Sequence, residues 1–416
     1  MISNFLEHID ACPTAHHVVD RAASILRNSG IDQVTLDKGF TTQHLQSGFV
    51  SSGGTIIAWK NAHSIAENGI RIVGAHTDSP GLHIKPNPDT QTLNWQQLQV
   101  EVYGGPLLNS WLDRDLGIAG HVVLRDGSTS LFTSQQPVAR IPQLAIHLDR
   151  EVNDKGLVLN RHQHLSPIWA TTGSSAPFES WLAQQVSVSV SQIASWSAQL
   201  IDTQRAQIIG RDSEFIASSR IDNQISCWAA LSALLGVNSD QPMMIALFDH
   251  EEVGSQSSQG AGGPMLEHVL ERLSVAAGSS RSDYLVSLQK SHCVSADNAH
   301  AVHPNYVDRH ELNNAPLINE GVVVKTNVSQ RYATSPKSLV PIVHAAATAG
   351  VNLQTFSSHN NIACGSTIGP ITATRIGIET VDIGVPQLSM HSIREMCGTK
   401  DPVDLVALLS AYFSRA

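Results

Sequence analysis

The sequence predicts an α/β protein in which one discontinuous domain, residues 1–85 and 211–416, is interrupted by a β-rich module, residues 86–210. Three observations predict this architecture. Helical and strand-like apolar periods alternate in the two outer segments. Residues 86–210 are instead rich in Gln, Ser and Thr and show short alternating runs separated by turn residues. The length of 416 residues also suits two or three domains of about 150 residues each.

Each predicted element rests on its own apolar pattern. Helical spacing predicts a helix across residues 2–26, and the apolar run 69–75 predicts a strand that ends in the polar turn 76–80. In the β-rich module, alternation predicts three strands. After residue 211, Asp222 is expected to open a helix as its N-cap, and residues 242–248 to form a strand buried on both faces. The three module strands are expected at residues 98–103, 121–124 and 186–190.

Charge and composition exclude two classes of partner. Lys and Arg number 26 against 36 Asp and Glu, which gives a formal net charge of −10, and no basic block is present. Nucleic acid and anionic membranes are therefore not expected as partners. Charged residues make up 15% of the chain, against roughly 25% in ordinary soluble proteins. We therefore expect much of the surface to be uncharged or buried against other subunits.

Cysteine usage and the N-terminal sequence predict a soluble, untargeted cytoplasmic protein. The five cysteines are odd in number and form no CxxC pair, which suits a reducing compartment. The first twenty residues lack the apolar run of a signal peptide. The longest purely apolar stretch, residues 243–248, is too short to span a bilayer.

Histidine and acidic residues follow directly on several predicted strands. His76, the pair Glu251 and Glu252, and Asp297 all occupy such positions. With 20 histidines in the chain, a single histidine is a weak signal, but its place at a strand end is a stronger one. Ligands of open α/β sheets bind at the carboxyl ends of the strands, so we expect these loops to converge.

The adjacent glutamates predict a metal-dependent hydrolase. They follow a six-residue apolar run and precede Gly254, within a row of four ionisable residues, 249–252. Such a row at the edge of a buried sheet is costly unless a cation is bound. In extended geometry neighbouring side chains point apart. One glutamate could therefore hold a metal ion while the other faces the substrate.

Three further residues supply ligands of the same kind, although each has a simpler explanation. Asp222 could merely cap its helix, Asp297 could form an Asx turn, and His391 could merely begin a helix. Together with His76 and Glu252 they form an imidazole and carboxylate set that suits zinc or manganese rather than calcium. Three carboxylates, two divalent ions and one hydroxide come close to neutrality. A paired-metal site, with ions about 3.5–4 Å apart, is electrostatically sensible.

Several long and unusual strings stand in order along nearly the whole chain. They are AHTDSP (75–80), SRIDNQ (219–224), LFDHEEVGS (247–255), SADNAHAVHPNY (295–306), CGSTIGPI (364–371) and QLSMHSIREM (387–396), with NSWLDRDLGIAG (109–120) and AIHLDR (145–150) in the module. These strings resemble the aspartyl aminopeptidase family of metallopeptidases, M18. The resemblance implies a mixed-sheet zinc-peptidase catalytic domain of the phosphorylase/hydrolase-like type, with the inserted β-rich module serving dimerisation.

The resemblance implies a ligand set for two divalent metal ions. Asp222 corresponds to the carboxylate that bridges the ions. His76 and Asp297 complete one site, and Glu252 and His391 complete the other. Zinc is the expected metal, with manganese or cobalt as alternatives.

The resemblance also implies roles for four residues around the metals. Glu251 corresponds to the general base that takes a proton from a metal-bridging water, and Asp78 to the carboxylate that orients His76. His147 corresponds to a histidine that reaches an adjacent subunit's active site, although alone it would be interpreted as a core residue. Lys325 corresponds to a lysine that meets an acidic substrate side chain, and its simpler interpretation is a strand-end lysine extending to water.

These implications predict an aminopeptidase that removes acidic N-terminal residues, Asp or Glu, from peptides. Dimers are expected to assemble into a tetrahedral shell of twelve subunits. One alternative is a metal-dependent deacylase or dipeptidase on the same fold, which would recognise a carboxylate rather than a free amine. Another is a catalytically inactive shell-forming binding protein, which would usually lack one of the ligands or Glu251.

Overall fold

The computed structural model describes residues 1–173 and 176–414. Within those ranges no helix is both long enough and apolar enough to cross a membrane. Short 3₁₀ turns occur at Thr42–Leu45, Ala62–Ser64, Leu108–Trp111, Val190–Gln192, Glu251–Val253, Val307–Arg309 and Leu312–Asn314. The α-helices are α1 (Ile2–Ala11), α2 (Ala15–Asn28), α3 (Ile65–Asn68), α4 (Val152–Lys155), α5 (Phe178–Gln185), α6 (Ile221–Gly236), α7 (Met265–Ala276), α8 (Arg281–Lys290), α9 (Pro336–Ala349), α10 (Ile368–Ile376) and α11 (Asp401–Ser414).

The strands form three sheets. They are β1 (Ser47–Ser52), β2 (Thr55–Lys60), β3 (Arg71–His76), β4 (Gly81–Thr92), β5 (Trp95–Tyr103), β6 (Leu116–Leu124), β7 (Thr129–Thr133), β8 (Ile168–Thr171), β9 (Ile193–Asp202), β10 (Gln207–Ile209), β11 (Phe215–Ser218), β12 (Met243–Phe248), β13 (His292–Ala296), β14 (Ala299–His300), β15 (Val322–Thr326), β16 (Leu353–Ser357), β17 (Glu379–Gly384), β18 (Pro386–Leu388) and β19 (Glu395–Gly398).

The largest sheet is mixed and has eight strands in the order β1-β2-β12-β3-β13-β17-β15-β16. Its central strands β12, β3, β13 and β17 run parallel, whereas β1, β2 and the β15–β17 pair are antiparallel. Helices α1, α2, α6, α9 and α11 pack on one face, and α3, α7, α8 and α10 pack on the other. The prediction of a mixed α/β fold is therefore confirmed.

The strand β12 shows how this sheet is buried. All six of its residues are buried, as predicted. Met243, Ile245 and Leu247 join the core of one face, while Met244 and Phe248 join the core of the other. A strand between two helical layers needs apolar side chains on both sides, which explains its unbroken apolar run.

A second, six-stranded antiparallel sheet has its own apolar core and the order β7-β6-β9-β4-β5-β8. It extends from Gly81 to Asp202, and its strand β4 runs without interruption through residues 85 and 86. A third sheet has the order β10-β11-β19-β18-β14 and shares no strand with the other two. The division into residues 1–85 with 211–416 and residues 86–210 stays a prediction.

Two sequence predictions about local structure are wrong in detail. The helix predicted across residues 2–26 is two helices, α1 and α2, because Pro13 disfavours helical backbone at Cys12 and cannot donate a hydrogen bond. The strand predicted at residues 186–190 is absent. The chain there leaves α5, passes Ser187 with a left-handed φ of 57°, and enters the 3₁₀ turn at Val190. The alternation of Val and Ser in residues 186–190 matches the two-residue period of a strand, but the segment is a connection between α5 and β9.

The parallel strands bring distant parts of the chain to one edge of the large sheet. β3 ends at His76, directly beside Phe248 at the end of β12. Asp297 follows β13 and is fixed by the hydrogen bond from its N–H to Ile383 O, 2.9 Å. Gly384 must lack a side chain, because a Cβ there would overlap the Asp297 carbonyl oxygen. The sheet therefore sets the relative positions of the polar residues at this edge.

Candidate metal centre

Five predicted metal ligands converge on one cavity of about 530 Å³. They arrive from five separate elements of the fold. The five residues are His76 at the end of β3, Asp222 at the start of α6, Glu252 in the 3₁₀ turn after β12, Asp297 after β13, and His391 between β18 and β19.

Asp222 lies at the middle of this group. Its Oδ1 is 3.3 Å from His76 Nε2, and its Oδ2 is 3.5 Å from His391 Nε2. Asp297 Oδ1 lies 3.5 Å from His76 Nε2, and Glu252 Oε2 lies 3.4 Å from His391 Nε2. The two oxygens of one carboxylate thus face two imidazoles, each of which has a further carboxylate beside it.

The simpler explanations for Asp222 and His391 are wrong. Arg220 occupies the N-cap position of α6, no side chain caps that end, and the ψ of Asp222 is 105°, outside the helical region. This backbone turns the Asp222 carboxylate toward the imidazoles instead of the helix N–H groups. His391 begins no helix, because it has a left-handed φ of 67° in the turn before β19. The carboxylate of Asp297 lies against His76 and Lys325.

The two glutamates depart from the extended geometry expected for them. His250 has a left-handed φ of 62°, and the chain then forms the 3₁₀ turn Glu251–Val253. Both glutamates line the same cavity. The turn is held by Asp78, whose carboxylate accepts the N–H groups of Glu251 and Glu252, each at 3.1 Å.

Each histidine presents one ring nitrogen to Asp222 and the other to a backbone carbonyl. His76 Nδ1 lies 3.0 Å from the carbonyl oxygen of Asp78, and His391 Nδ1 lies 3.1 Å from that of Gly105. A carbonyl can only accept a hydrogen bond, so both Nδ1 atoms donate and both Nε2 atoms are free to bind a metal. Asp78 was expected to orient His76 through its carboxylate, but that oxygen is farther away, at 3.5 Å.

The net charge of the cluster depends on which of its residues are protonated. Burial lowers the pKa of His76 and His391, but the neighbouring carboxylates outweigh it, holding the pKa of His76 well above 6.5 and raising that of His391 to about 10. Burial raises the pKa of Asp222, yet its contacts with the two imidazoles lower it overall. Burial raises the pKa of Glu251 to about 8 and that of Glu252 well above 4.5. Protons on the histidines and glutamates therefore offset the negative charge of the clustered carboxylates.

The residues fit divalent metal ions. Asp222 Oδ1 and Glu252 Oε1 are buried oxygens without a well-aligned hydrogen-bond donor in the part of the chain that the structure describes, although Asp222 Oδ1 has its ionic contact with His76 Nε2 at 3.3 Å. His76, Asp222 and Glu252 can each place a ligand atom within 4.8 Å of the other two. An unsatisfied buried polar atom costs about 1–3 kcal/mol. Imidazole nitrogens and carboxylate oxygens without a thiolate suit zinc and other first-row ions.

Lys325 does not extend to water. Its side chain is buried, and Nζ donates to Asp297 Oδ2 at 3.3 Å and to Asn298 O at 3.1 Å. The ammonium also lies 5.1 Å from the ring centre of Tyr332. Its charge is therefore paired with a candidate metal ligand, while the residue still lines the cavity.

His147 is neither in a strand nor in the core. It lies in an exposed turn between β7 and α4 and is not among the residues that line the cavity of its own chain. Its neighbours Leu144, Ile146 and Leu148 are 57%, 46% and 74% exposed. The interpretation of His147 as a core residue is therefore wrong, because it lies in a surface segment.

Sequence reasoning missed two residues that support the ligands. Tyr103 donates to Asp78 Oδ2 at 2.6 Å, and Glu395 accepts the N–H groups of Asp222 at 2.9 Å and His391 at 2.7 Å. Tyr103 gave no signal, because its partner Asp78 lies 25 residues earlier, in the loop between β3 and β4. Glu395 lies within the string QLSMHSIREM, which resembles the family, and its place in that string is the one sequence feature that could have indicated a role.

A mixed α/β sheet that presents histidines and carboxylates to one cavity defines a metal-dependent hydrolase. Residues 8–413 match the family described as aminopeptidase I zinc metalloprotease (M18). A probable M18 family aminopeptidase 2 of Streptomyces coelicolor is 44% identical over 419 residues, covering 98% of this chain and 96% of the relative. The chain belongs to the M18 aminopeptidase family, and it is accordingly a hydrolase that acts on peptide bonds.

Solved structures agree with this assignment. A cryo-EM structure of the Ape4 and Nbr1 complex contains a chain with a TM-score of 0.95 and 35% identity, covering 99% of this chain and 85% of that one. The S. cerevisiae mApe1 dodecamer has a TM-score of 0.85 and 27% identity, covering 99% and 96%. Membership of an aminopeptidase family argues against the deacylase or dipeptidase alternative.

The raised pKa values predict that the stabilisation of the fold by bound metal depends on pH. Glu251 and His391 have raised pKa values in the fold, so the metal-free protein loses stability as the pH rises from 4.5 to about 8 and from 6.5 to about 10, respectively. Metal ions displace these protons and offset that loss. We expect the Tm of chelated protein to fall between pH 6 and pH 8, and zinc to raise the Tm more at pH 8.

Thermal melts with and without zinc measure this difference, and Asp222→Asn is the control that should lose most of the zinc effect. An equal zinc-induced Tm shift at the two pH values would contradict the electrostatic account.

Proposed function

We propose that this protein is a dinuclear metal aminopeptidase that removes Asp or Glu from the N-termini of peptides. The observation that carries the proposal is the position of Asp222, whose two oxygens face His76 and His391 separately. This position suits a bridging carboxylate between two ions. The adjoining carboxylates, Asp297 and Glu252, would complete one site each.

The expected metal is zinc, with manganese or cobalt as alternatives, because the ligand set contains no thiolate. When bound, two such ions would lower the pKa of an attacking water and polarise the scissile carbonyl. Membership of an aminopeptidase family supports a substrate with a free N-terminal amine.

Glu251 is the general base in this proposal. Its side chain lines the cavity and accepts no hydrogen bond from the described residues, whereas its N–H is fixed by Asp78. The carboxylate would take a proton from the attacking water and pass it to the leaving amine. Asp78 holds the turn that carries Glu251 and, through its carbonyl oxygen, orients His76.

The preference for acidic residues is supported by two cations in the cavity lining, Lys325 and Arg331. Lys325 is paired with Asp297, while the Arg331 guanidinium donates to Cys364 O at 3.2 Å and has no carboxylate partner in the described residues. A substrate carboxylate in this cavity would meet positive charge on both. We assign the contact with the substrate side chain to Lys325.

A homo-oligomer with a shared active site completes the proposal. One of the structures that resemble this chain is that of the S. cerevisiae mApe1 dodecamer. His147 is exposed among apolar side chains and lies outside its own cavity, which suits a residue that enters a neighbour's active site. Dimers built through the inserted module would then assemble into a twelve-subunit shell. The five free thiols support a cytoplasmic location.

Glu251→Gln should keep the bound metals and lose most activity, because an amide cannot accept the proton. Loss of a general base commonly lowers the rate by about 10²–10⁴-fold. The measurement is hydrolysis of a chromogenic glutamyl amide, with metal content determined in parallel, and exposed Glu320→Gln serves as the control. Loss of metal in the variant would mean that Glu251 and Glu252 exchange roles. A wild-type protein without any metal-dependent activity would favour the inactive shell-forming alternative.

Lys325→Met should change substrate preference. A charge-assisted hydrogen bond contributes about 1.5–3 kcal/mol, so kcat/KM for N-terminal Glu and Asp should fall roughly ten- to a hundredfold more than for Leu and Ala. The ratio is the appropriate measure, because loss of the bond to Asp297 will slow every substrate. Exposed Lys337→Met is the control. Equal losses on all substrates would show that Lys325 only holds Asp297.

Two inactive variants should complement each other if His147 acts across subunits. Glu251→Gln supplies an intact His147, and His147→Ala supplies an intact general base, so some mixed oligomers contain complete sites. Losing a donor to the developing oxyanion commonly costs about 10²–10³ in kcat. The two variants are denatured and refolded together, and their activity is compared with refolded wild type. A mixture that stays as inactive as its components, while wild type recovers, would exclude the shared site.

A further inference from the structure

A buried hydrogen-bond network adjoins the candidate ligands, and of its members Glu395, Gln387 and Asn298 only Asn298 also lines the cavity. Glu395 Oε2 accepts the Asp222 N–H at 2.9 Å, and Glu395 Oε1 accepts the His391 N–H at 2.7 Å. Gln387 Nε2 donates to Glu395 Oε1 at 3.3 Å, and Asn298 Nδ2 donates to Gln387 Oε1 at 2.7 Å. Glu395, Gln387 and Asn298 are 2%, 1% and 3% exposed.

This network joins three chain segments that carry ligand candidates. Asp222 and His391 are 169 residues apart and are bonded through their backbones to the same carboxylate. Asn298 adjoins Asp297, so the side-chain amide of Gln387 extends the connection to a third segment. Since the contacts are made by backbone N–H groups, Glu395 leaves the imidazole and carboxylate atoms of the ligands free.

The turn that carries His391 requires such support. Ser389 and His391 both have left-handed φ values, 58° and 67°. Residues with side chains adopt that conformation only when the surroundings hold them there. His391 is also the most exposed of the candidate ligands that contact Asp222, with 30% of its side chain accessible. Glu395 fixes the backbone directly at this residue.

We propose that Glu395 is a positioning residue that sets the spacing between Asp222 and His391 and thereby the affinity of the His391 metal site. This inference rests on the proposed two-metal centre. Replacement of the carboxylate by an amide in Glu395→Gln leaves one acceptor oxygen and turns a donor toward the other N–H. Either Asp222 or His391 then loses its anchor. Supporting contacts of this kind commonly change metal affinity by about 10–100-fold.

The chain offers a matched control at the start of α11, directly after the strand β19 that begins with Glu395. Asp401, 1% exposed, accepts the N–H groups of Asn319 at 2.9 Å and Gly398 at 2.8 Å. It is thus a buried carboxylate that bonds two backbone N–H groups, as Glu395 does, but neither group belongs to a candidate ligand. Asp401→Asn should lower thermal stability without changing metal affinity.

The test is calorimetric titration of metal-free wild type, Glu395→Gln and Asp401→Asn with zinc, alongside thermal melts and steady-state kinetics. We expect wild type and Asp401→Asn to bind two equivalents per chain with the same affinities. In Glu395→Gln one equivalent should bind about 10–100-fold more weakly. In that variant kcat should fall at zinc concentrations that leave the weak site empty, and added zinc should restore it.

The outcomes separate this inference from the proposal on which it depends. One equivalent in wild type would overturn the two-metal centre itself. Two equivalents in wild type with unchanged affinities in folded Glu395→Gln, or the same loss in Asp401→Asn, would overturn the positioning role. If Glu395→Gln does not fold, Glu395→Asp takes its place, because the shorter carboxylate cannot reach both the Asp222 and the His391 N–H groups, and unchanged affinities in that variant would likewise overturn the inference.

Discussion

The arrangement of this protein depends on the burial of several carboxylates beside two imidazoles. Asp222, Glu252 and Asp297 occupy one small space, and their mutual repulsion must be offset there. In the absence of metal, protons on the histidines and glutamates offset it, as the raised pKa values of His391 and Glu251 indicate. A pair of divalent ions would supply the same positive charge without those protons.

Both parts of the fold serve this charge cluster. The large sheet supplies the ends of β3, β12 and β13 at one edge, which is where parallel α/β sheets place their ligands. In the six-stranded sheet, Tyr103 at the end of β5 donates a hydrogen bond to the Asp78 carboxylate. In the loop after β5, the carbonyl oxygen of Gly105 accepts a hydrogen bond from His391 Nδ1. The six-stranded sheet and the loop after β5 therefore help to orient both histidines within the same chain. In the proposed function, His147, which lies between strands β7 and β8 of this sheet, would in addition act in a neighbouring chain.

The sequence predicted those features whose cause is local. The unbroken apolar run Met243–Phe248 required burial on both faces, and the residues that follow such strands were recognisable as site candidates. Pairings between distant segments were not predictable. Lys325 has the apolar neighbours of any buried strand, and nothing in the sequence indicates that its ammonium meets Asp297. The sequence likewise did not predict the left-handed backbone at His250, which directs the two glutamates into one cavity.

Resemblance to known proteins supplied what periodicity could not. From the residues alone, Asp222 was equally consistent with a helix cap, and His391 with the start of a helix. The strings that resemble the family gave Asp222 and His391 a metal-binding interpretation. In the structure, Asp222 Oδ2 lies 3.5 Å from His391 Nε2. Glu395 lies inside one of these strings, but its role depends on a bond to Asp222 from far along the chain, which only the fold reveals.

The claim that Asp222 is shared between two metal ions is the centre of this account. X-ray absorption spectroscopy of the zinc-reconstituted protein tests it directly, since it reports both the ligands and the distance between neighbouring metals. The account requires nitrogen and oxygen ligands without sulfur and a metal–metal distance of about 3.5–4 Å at two ions per chain. A spectrum of isolated zinc ions, with no second metal within that distance at full loading, would contradict it.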